Sequence, residues 1–414
     1  MRGEIIAVGD ELTSGRIANT TSYFAAARLF AAGYEVPVLS TVADDQALIS
    51  ATLLQALERS DFVIVTGGLG TTSDDLTNAA VSAALSRPAT LYPEILRKIR
   101  ANSRHLSPQA RKSLEKLAWL PDGAHSLHSE ARSAGYFLVH QGKPVFFLPG
   151  VPHEMKELLV EAVLPRLAVW EDRPLHHVRQ RVFRVSGLGE SEINQRLAEL
   201  EESDARVRIG YYPVFPEVQV SLTVSATEDA VADQLLAEVA AGIERRLGTH
   251  IYGLESDTLE EVLGELCRKL NLSLAVAESC SGGLIAATIT SAPGASAFFL
   301  GGVVAYSNEL KERVLGVSPA TLATHGAVSA AVAEEMAAGV RRLTGAALAL
   351  SATGIAGPDG GNEEKPVGTV FIGLATGSGV RAELCRFFGT RRQIQELTTH
   401  RALDMLRCSL LAES

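Results

Sequence analysis

The stretch DFVIVTGGLGTTSDDLT, residues Asp61–Thr77, decides how the first part of the chain folds. Asp61–Thr66 is a compact β-branched run, of the kind that suits a strand covered on both faces in a parallel sheet. Glycines follow at once, then a polar segment, then the start of a helix. Working outward, Glu4–Val8 and Pro144–Leu148 are further apolar strands, Glu35–Val42 is strand-like, and Asn19–Ala32 and Gln46–Arg59 carry helical spacing. A helix after Pro152 closes the pattern near Trp170. Strands alternating with helices predict a doubly wound α/β domain over residues 1–170.

A break follows at Glu171-Asp172-Arg173-Pro174. Strand-like His177–Val185, Arg206–Tyr212 and Val218–Ala226 then accompany two helices, Ser191–Leu200, capped by Ser191, and Ala230–Leu247. They predict a small α+β, KH-like module over residues 175–252. Its strand-to-helix turn, Gly187-Leu188-Gly189-Glu190-Ser191, has Glu190 and Glu192 as neighbours, whereas a loop that clamps a nucleic-acid backbone wants basic ones. A spacer or dimerisation element is therefore preferred over RNA binding. Residues 256–414 start with Ser256 or Asp257 capping a helix Thr258–Leu270. Strands at Ser273–Ala277, Ala346–Ala352 and Gly368–Leu374, with helices at Leu284–Ser291 and Ala330–Leu343, predict a second α/β/α domain.

Bulk properties narrow the class. The 414 residues exceed what one core organises, and 46% hydrophobic with 21% charged residues is a globular composition. A formal charge of −10 with no basic block argues against a duplex-DNA partner. No stretch reaches the roughly 18 uncharged apolar residues that span a bilayer. The opening MRGEIIAVGDEL meets charge too early for a signal peptide. Cys267, Cys280, Cys385 and Cys408 are scattered without a CxxC pair, which predicts a reduced, cytoplasmic protein.

Two loops carry chemistry. In the first, Gly67, Gly68 and Gly70 follow a parallel strand, where backbone N–H groups can approach a ligand and the next helix N-terminus favours an anion. Asp74 and Asp75 would repel a phosphate there unless a divalent cation bridges the two. The plainer alternative is that Ser73 and Asp74 cap the helix. Other strand ends of the domain are similarly equipped: Asp10 and Glu11 after the first strand, Asn19 at the first helix, and Leu148-Pro149-Gly150-Val151-Pro152 after the last strand. GDEL at Gly9–Leu12, the NTT at Asn19, GGLG…SDDLT and LPGVPHEM (Leu148–Met155) together resemble the molybdopterin-binding-fold domain of the competence/damage-inducible CinA family. The resemblance implies an ADP-ribose pyrophosphatase dependent on cobalt, manganese or magnesium. It places Asp10, Glu11, Asn19, Gly67, Gly68 and Gly70 at the nucleotide and Asp74 and Asp75 on the metal. The chain departs from the family at Thr71, where a proline is usual, and over His128–Gly135, which lacks the family's Asn…Gly-Thr-Ala-Pro-Gly loop.

In the second, Ser273–Ala277 runs into Glu278-Ser279-Cys280-Ser281-Gly282-Gly283 and a helix. A serine at such a turn is held rigid beside N–H groups able to stabilise an oxyanion. The only imidazoles after residue 256 are His325 and His400, neither in a matching loop, so Lys311 is the candidate base. It must shed its proton far below the usual pKa of about 10.4, which burial favours. Tyr306, five positions earlier, is placed to orient the amine or relay a proton. On spacing alone a solvated surface lysine beside Glu312 is the commoner fate. Cys280 is a rival nucleophile beside a helix N-terminus, although a lone cysteine usually just packs. Thr353 offers a hydroxyl donor, Gly354 and Gly357 allow close approach of phosphate or ribose, and Arg391 and Arg392 are candidate phosphate clamps.

AESCSGG (Ala277–Gly283), VVAYSNELK (Val303–Lys311), HGAVS (His325–Ser329) and TGIAGPDGG…EEKPVGTV (Thr353–Val370) resemble the nicotinamide mononucleotide (NMN) amidohydrolase domain of the same family. The resemblance implies conversion of NMN to nicotinate mononucleotide and ammonia without a cofactor. Ser279 would be the nucleophile and Lys311 the base, with Tyr306, Thr353 and Arg391 as further functional positions. Cys280, Ser281, Gly282, Gly283, Gly354 and Gly357 would line the substrate. Gly389-Thr390-Arg391 is looser than the family's Gly-Asp-Arg. The expected partners are NMN, ADP-ribose and a second copy in a homodimer, with neither membrane nor nucleic acid. A regulatory scaffold that meets a recombinase or competence protein is the alternative reading.

Overall fold

The computed structural model describes the chain except residues 73, 104, 128–134, 171–176 and 413–414. The Ser73 cap, the departure over residues 128–134 and the break at 171–174 therefore lie outside the described residues. By contacts the chain divides into two compact units, Met1–Arg179 with Val224–Gln234, and Gln180–Thr223 with Leu235–Ser414. Among the described residues no helix is long and apolar enough to cross a membrane.

The first unit is built on a six-stranded sheet in the order Glu35–Val42, Arg2–Val8, Phe62–Thr66, Lys143–Leu148, Tyr136–His140, His125–Ser126. The first four strands are mutually parallel; Tyr136–His140 runs antiparallel to them, and His125–Ser126 pairs antiparallel with Tyr136–His140 in turn. Successive residues of the central strands enter opposite cores. Ile6, Val63 and Val65 face the cluster under helices Gln46–Arg59 and Thr77–Ala84. Ile5, Phe62 and Ile64 face the one that holds Ala25 and Leu29 of helix Thr20–Ala31 and Met155 and Leu158 of helix Pro152–Leu158. A strand with both faces covered has no polar side to show, which is why these runs read as unbroken. Two helices that periodicity did not single out, Pro93–Asn102 and Pro108–Leu114, separate the strands of a small ribbon that pairs Ala89–Leu91 with Trp119–Pro121.

The expected middle module is a four-stranded sheet in the order Val207–Val214, Glu217–Ala226, His177–Val185, Ile251–Leu254, with helices Glu190–Glu202 and Asp229–Leu247. Ser191 is not the cap: Gly189 holds that position without a side-chain bond and the helix starts at Glu190. The last sheet runs Phe299–Val304, Leu274–Glu278, Leu348–Gly354, Thr369–Ala375, Val380–Arg386. Its first three strands are parallel, Thr369–Ala375 runs antiparallel to them, and Val380–Arg386 pairs antiparallel with Thr369–Ala375. Leu274 and Val276 enter one core, Ala275 and Ala277 the other, which gives the α/β/α layers expected. The helix Leu259–Lys269 is capped by Thr258 in a capping box with Glu261 rather than by Ser256 or Asp257; the Asp257 carboxylate accepts the Leu254 N–H instead. The strand Val380–Arg386 and the long final helix Arg391–Ala412 were not foreseen. That helix buries Thr398, Thr399, Asp404 and Arg407 along with its apolar residues, so no clean apolar stripe marks it.

Candidate active site

Three parallel strands of the last sheet, Phe299–Val304, Leu274–Glu278 and Leu348–Gly354, end at the same edge, and each delivers part of one site. Their ends are tied together: Ala305 N–H donates to Glu278 O (2.8 Å) and Ser279 N–H to Ala352 O (2.9 Å). The chain turns after Ser279 through Gly282 (φ 66°) and Gly283 (φ 99°), left-handed conformations that glycine adopts without a Cβ clash.

Helix Asn308–Leu315, capped by Ser307, presents Lys311 inward in its first turn. Lys311 is 2% exposed. Its Nζ lies 3.1 Å from Ser279 Oγ, 2.9 Å from Ala305 O and 3.2 Å from Tyr306 O. Burial lowers its pKa, since desolvation disfavours the charged form. The contact set suits a neutral amine, whose two N–H bonds go to the carbonyls while the lone pair meets the serine hydroxyl.

Oxyanion donors can be found by elimination. The N–H groups of Ser279, Gly282 and Gly283 are spent on Ala352 O, Ser279 O and the Glu278 carboxylate. Cys280 and Ser281 N–H donate to no backbone carbonyl among the described residues; they lie directly after the serine, against the Cys280 sulfur. Glu278, which the sequence reading passed over, is fully buried and accepts the N–H groups of Gly283, Ile285 and Ala286. It therefore anchors the helix that follows the turn. Its signal was a carboxylate immediately before the serine in an otherwise apolar strand. Gln395, also unforeseen, donates to Cys280 O at 3.0 Å from the final helix. Burial pushes the Cys280 thiol up to about 12, so the rival nucleophile stays protonated.

Other expected positions are placed less simply. The Thr353 hydroxyl donates to Ala327 O at 2.8 Å, so toward a ligand it is an acceptor rather than the donor expected. The Tyr306 phenol does not reach the amine; its backbone carbonyl does, and the phenol instead accepts from Arg391 at 3.0 Å. Arg391 also donates to Gly357 O at 2.7 Å, so it joins the loop after Leu348–Gly354 to the Ser279–Lys311 edge. Arg392 points its guanidinium to Glu396, 2.5 Å away, and is not part of this cluster.

The first unit carries a second cleft of about 430 Å³ at the carboxyl ends of its parallel strands. Glu11, Asp44, Asp74, Asp75 and Glu154 line it, with no lysine or arginine in the lining among the described residues, although Lys116 is close enough for its charge to lower the Asp74 pKa. Burial, then the negative fields of Asp10, Glu11 and Asp74, raise the Asp44 carboxyl against an opposing hydrogen bond from Asp10 N–H. Asp10 and Asp44 each accept the other's backbone N–H, at 3.1 and 2.8 Å. Asp75 is occupied in holding the loop, taking Gly70 N–H at 2.7 Å and Thr72 N–H at 2.8 Å. Asn19 is likewise used structurally: its Oδ1 caps helix Thr20–Ala31 through Ser22 N–H and its amide reaches Thr41 Oγ1. A Cβ at Gly67 would sit 2.2 Å from Val8 O and one at Gly68 2.3 Å from Thr77 Oγ1, so these glycines serve close packing of the turn. Among the described residues no three His, Cys, Asp or Glu side chains stand ready around a metal. The donor set is all carboxylate, which suits a hard cation.

Comparison with known proteins gives three matches along the chain. Residues 256–410 match the CinA C-terminal domain, 4–169 a probable molybdopterin binding domain, and 180–253 the damage-inducible protein CinA KH domain. A CinA-like protein of Desulfotalea psychrophila is 50% identical over 410 residues, covering 99% of each chain. A CinA-like protein of Syntrophus aciditrophicus is 40% identical over 419 residues, covering 100% of this chain and 99% of the relative. Among solved structures, the competence/damage inducible protein CihA from Agrobacterium tumefaciens is 39% identical, with a TM-score of 0.36, and matches 37% of this chain and 97% of its own. The chain belongs to the CinA family.

Proposed function

We propose that this member of the CinA family hydrolyses the carboxamide of NMN to nicotinate mononucleotide and ammonia, using Ser279 as nucleophile and Lys311 as general base. The observation that carries the proposal is the buried Lys311 amine 3.1 Å from Ser279 Oγ, with two carbonyls as its other contacts. Lys311 takes the Ser279 proton as Oγ attacks the amide carbon. The N–H groups of Cys280 and Ser281 hold the tetrahedral oxyanion. Lys311 returns the proton to the nitrogen, the C–N bond breaks and ammonia leaves. A water, deprotonated by Lys311, then cleaves the acyl-enzyme and releases the nicotinate carboxylate. Arg391, held by Tyr306 and Gly357, would pair with the nucleotide phosphate. The test is ammonia release from NMN by the purified chain and by Ser279→Ala; undiminished release from the variant sinks the proposal.

A second reading concerns the first unit, and its carboxylate-only cleft supports it. A diphosphate cannot enter such a cleft without a divalent cation to offset the charge. Carboxylates of this lining, Asp74 foremost, would hold that ion, which would supply electrostatic stabilisation to a phosphoryl group of ADP-ribose. Asp75 shapes the loop beside them. AMP formation from ADP-ribose with magnesium, manganese or cobalt tests this, and no product with any of the three ends it.

A further inference from the structure

We infer that Gln395 is a positioning residue of the amidohydrolase site, bracing the peptide that presents one of the two proposed oxyanion donors; the inference rests on the Ser279–Lys311 reading of that site. Its side-chain Nε2 donates to Cys280 O at 3.0 Å, across 115 positions of sequence. Cys280 O and Ser281 N–H belong to one planar trans peptide unit, so they point in opposite directions. A donor fixed on the carbonyl therefore fixes the direction of the N–H. It also polarises that N–H, because hydrogen bonds in series strengthen one another. Among the described residues no backbone N–H reaches this carbonyl, so the glutamine alone braces it.

The turn needs such a brace. Gly282 and Gly283 follow at once in left-handed conformations, and glycine holds its backbone less firmly than any other residue. Glu278 secures the far side of the turn through the N–H groups of Gly283, Ile285 and Ala286. Gln395 secures the near side, and it comes from outside the turn. It sits on helix Arg391–Ala412, four residues after Arg391 and so on the same face. A Cβ at Gly282 would lie 3.6 Å from Gln395 Nε2, so the amide rests against the middle of the turn as well. Further along, the helix is pinned: Asp404 accepts from Arg407 at 2.6 Å and from Ser186 Oγ at 3.0 Å, with all three residues buried. A side chain on a rigid element, fastened elsewhere, aims its neighbour more precisely than one within the loop it serves.

The test uses the full-length chain. Gln395→Met keeps the length of the side chain and removes the donor, and Gln395→Lys returns a donor of similar reach. With NMN, Gln395→Met should lower kcat about tenfold, less than the loss of a direct oxyanion donor, while KM stays within about twofold. Gln395→Lys should recover most of the rate. Labelling of Ser279 by a fluorophosphonate, read by mass spectrometry, needs the nucleophile and the oxyanion donors but not NMN, and Gln395→Met should slow it by a similar factor. Unchanged kcat and labelling in Gln395→Met, or equal losses in the Met and Lys variants, overturns the inference while leaving the Ser279–Lys311 reading intact. A parent that labels at Ser279 but releases no ammonia, with labelling still slowed in Gln395→Met, upholds the brace and removes NMN as the substrate. A parent that neither labels nor releases ammonia removes both.

Discussion

The two clefts of this chain are built on one plan and equipped in opposite ways. Each opens at the carboxyl ends of parallel strands in an α/β sheet, where loops are free to vary. At the later one the reacting groups are buried and already bonded to each other, Ser279 to Lys311 and Glu278 to the turn. At the earlier one the acids line an open cleft, where burial and then the neighbouring acids raise the Asp44 carboxyl while a hydrogen bond from Thr72 lowers that of Asp74. A buried amine is kept neutral, and so free to accept a proton, by losing water, whereas a set of carboxylates needs an external charge before it can meet a phosphate. On the proposed reading, one site carries its reactivity within the chain and the other waits for an ion.

The sharpest way to break that contrast is to treat one protein with a chelator and a point substitution in turn. Ser279→Ala should lower ammonia release by on the order of 10⁴-fold or more, and Lys311→Met nearly as much, with the double variant little worse because the pair acts as a unit. EDTA should leave that release intact and abolish AMP formation from ADP-ribose, and Asp74→Asn should do the latter alone. Ammonia release that chelation stops would dissolve the distinction between the sites.

Glu278→Gln comes next. The carboxylate accepts three N–H bonds, and an amide in its place turns a donor toward at least one of them. The turn that aims Cys280 and Ser281 N–H should loosen, so kcat falls about 100-fold while KM for NMN moves little. Equal losses in both would mean that Glu278 merely holds the fold. Glu278→Asp, which keeps the charge, should recover part of the rate.

A subtler effect is the pH dependence of Lys311. Its amine must be neutral to act, so kcat/KM should rise with pH through a midpoint below the free-lysine value. The same depression affects stability. Between the folded pKa and that of the unfolded chain, the unfolded state binds more protons, so stability rises with pH across this window and is reduced below it. Lys311→Met removes the term. Urea titrations should show a flatter pH slope for the variant and stability at neutral pH no lower than that of the parent. A steeper slope in the variant would mean that the lysine is charged in the fold.

How much of this could be read from the chain alone follows from what each residue answers to. Phe62–Thr66 and Leu274–Glu278 were readable because an apolar run buried on both faces has few other uses. The turn at Gly282 and Gly283 was readable for a similar reason, since its backbone demands glycine. Lys311 was not: 32 positions separate it from Ser279, and spacing favoured the surface lysine that the packing of helix Asn308–Leu315 rules out. The direction of the Thr353 hydroxyl and the structural use of Asn19 were hidden too, because each depends on an acceptor or donor brought in by another strand or loop, Ala327 in one case and Thr41 in the other. Residue type announces capacity; only the fold shows which partner has already claimed it.

Cys280 offers the smallest expected change. By chemistry it is the stronger nucleophile of the two neighbours, and its position beside a helix N-terminus ought to favour the thiolate. Burial outweighs that: the thiol is 5% exposed and its pKa is pushed up to about 12. What the turn takes from residue 280 is its backbone, the carbonyl toward Gln395 and, in the proposed reaction, the N–H toward the oxyanion. Cys280→Ala keeps both and removes only a small buried side chain. Ammonia release should stay within about threefold of the parent, at a stability cost of roughly 1 kcal/mol for the lost packing. A loss as deep as that of Ser279→Ala would transfer the nucleophile to sulfur, and the contrast between the clefts would then rest on a different atom.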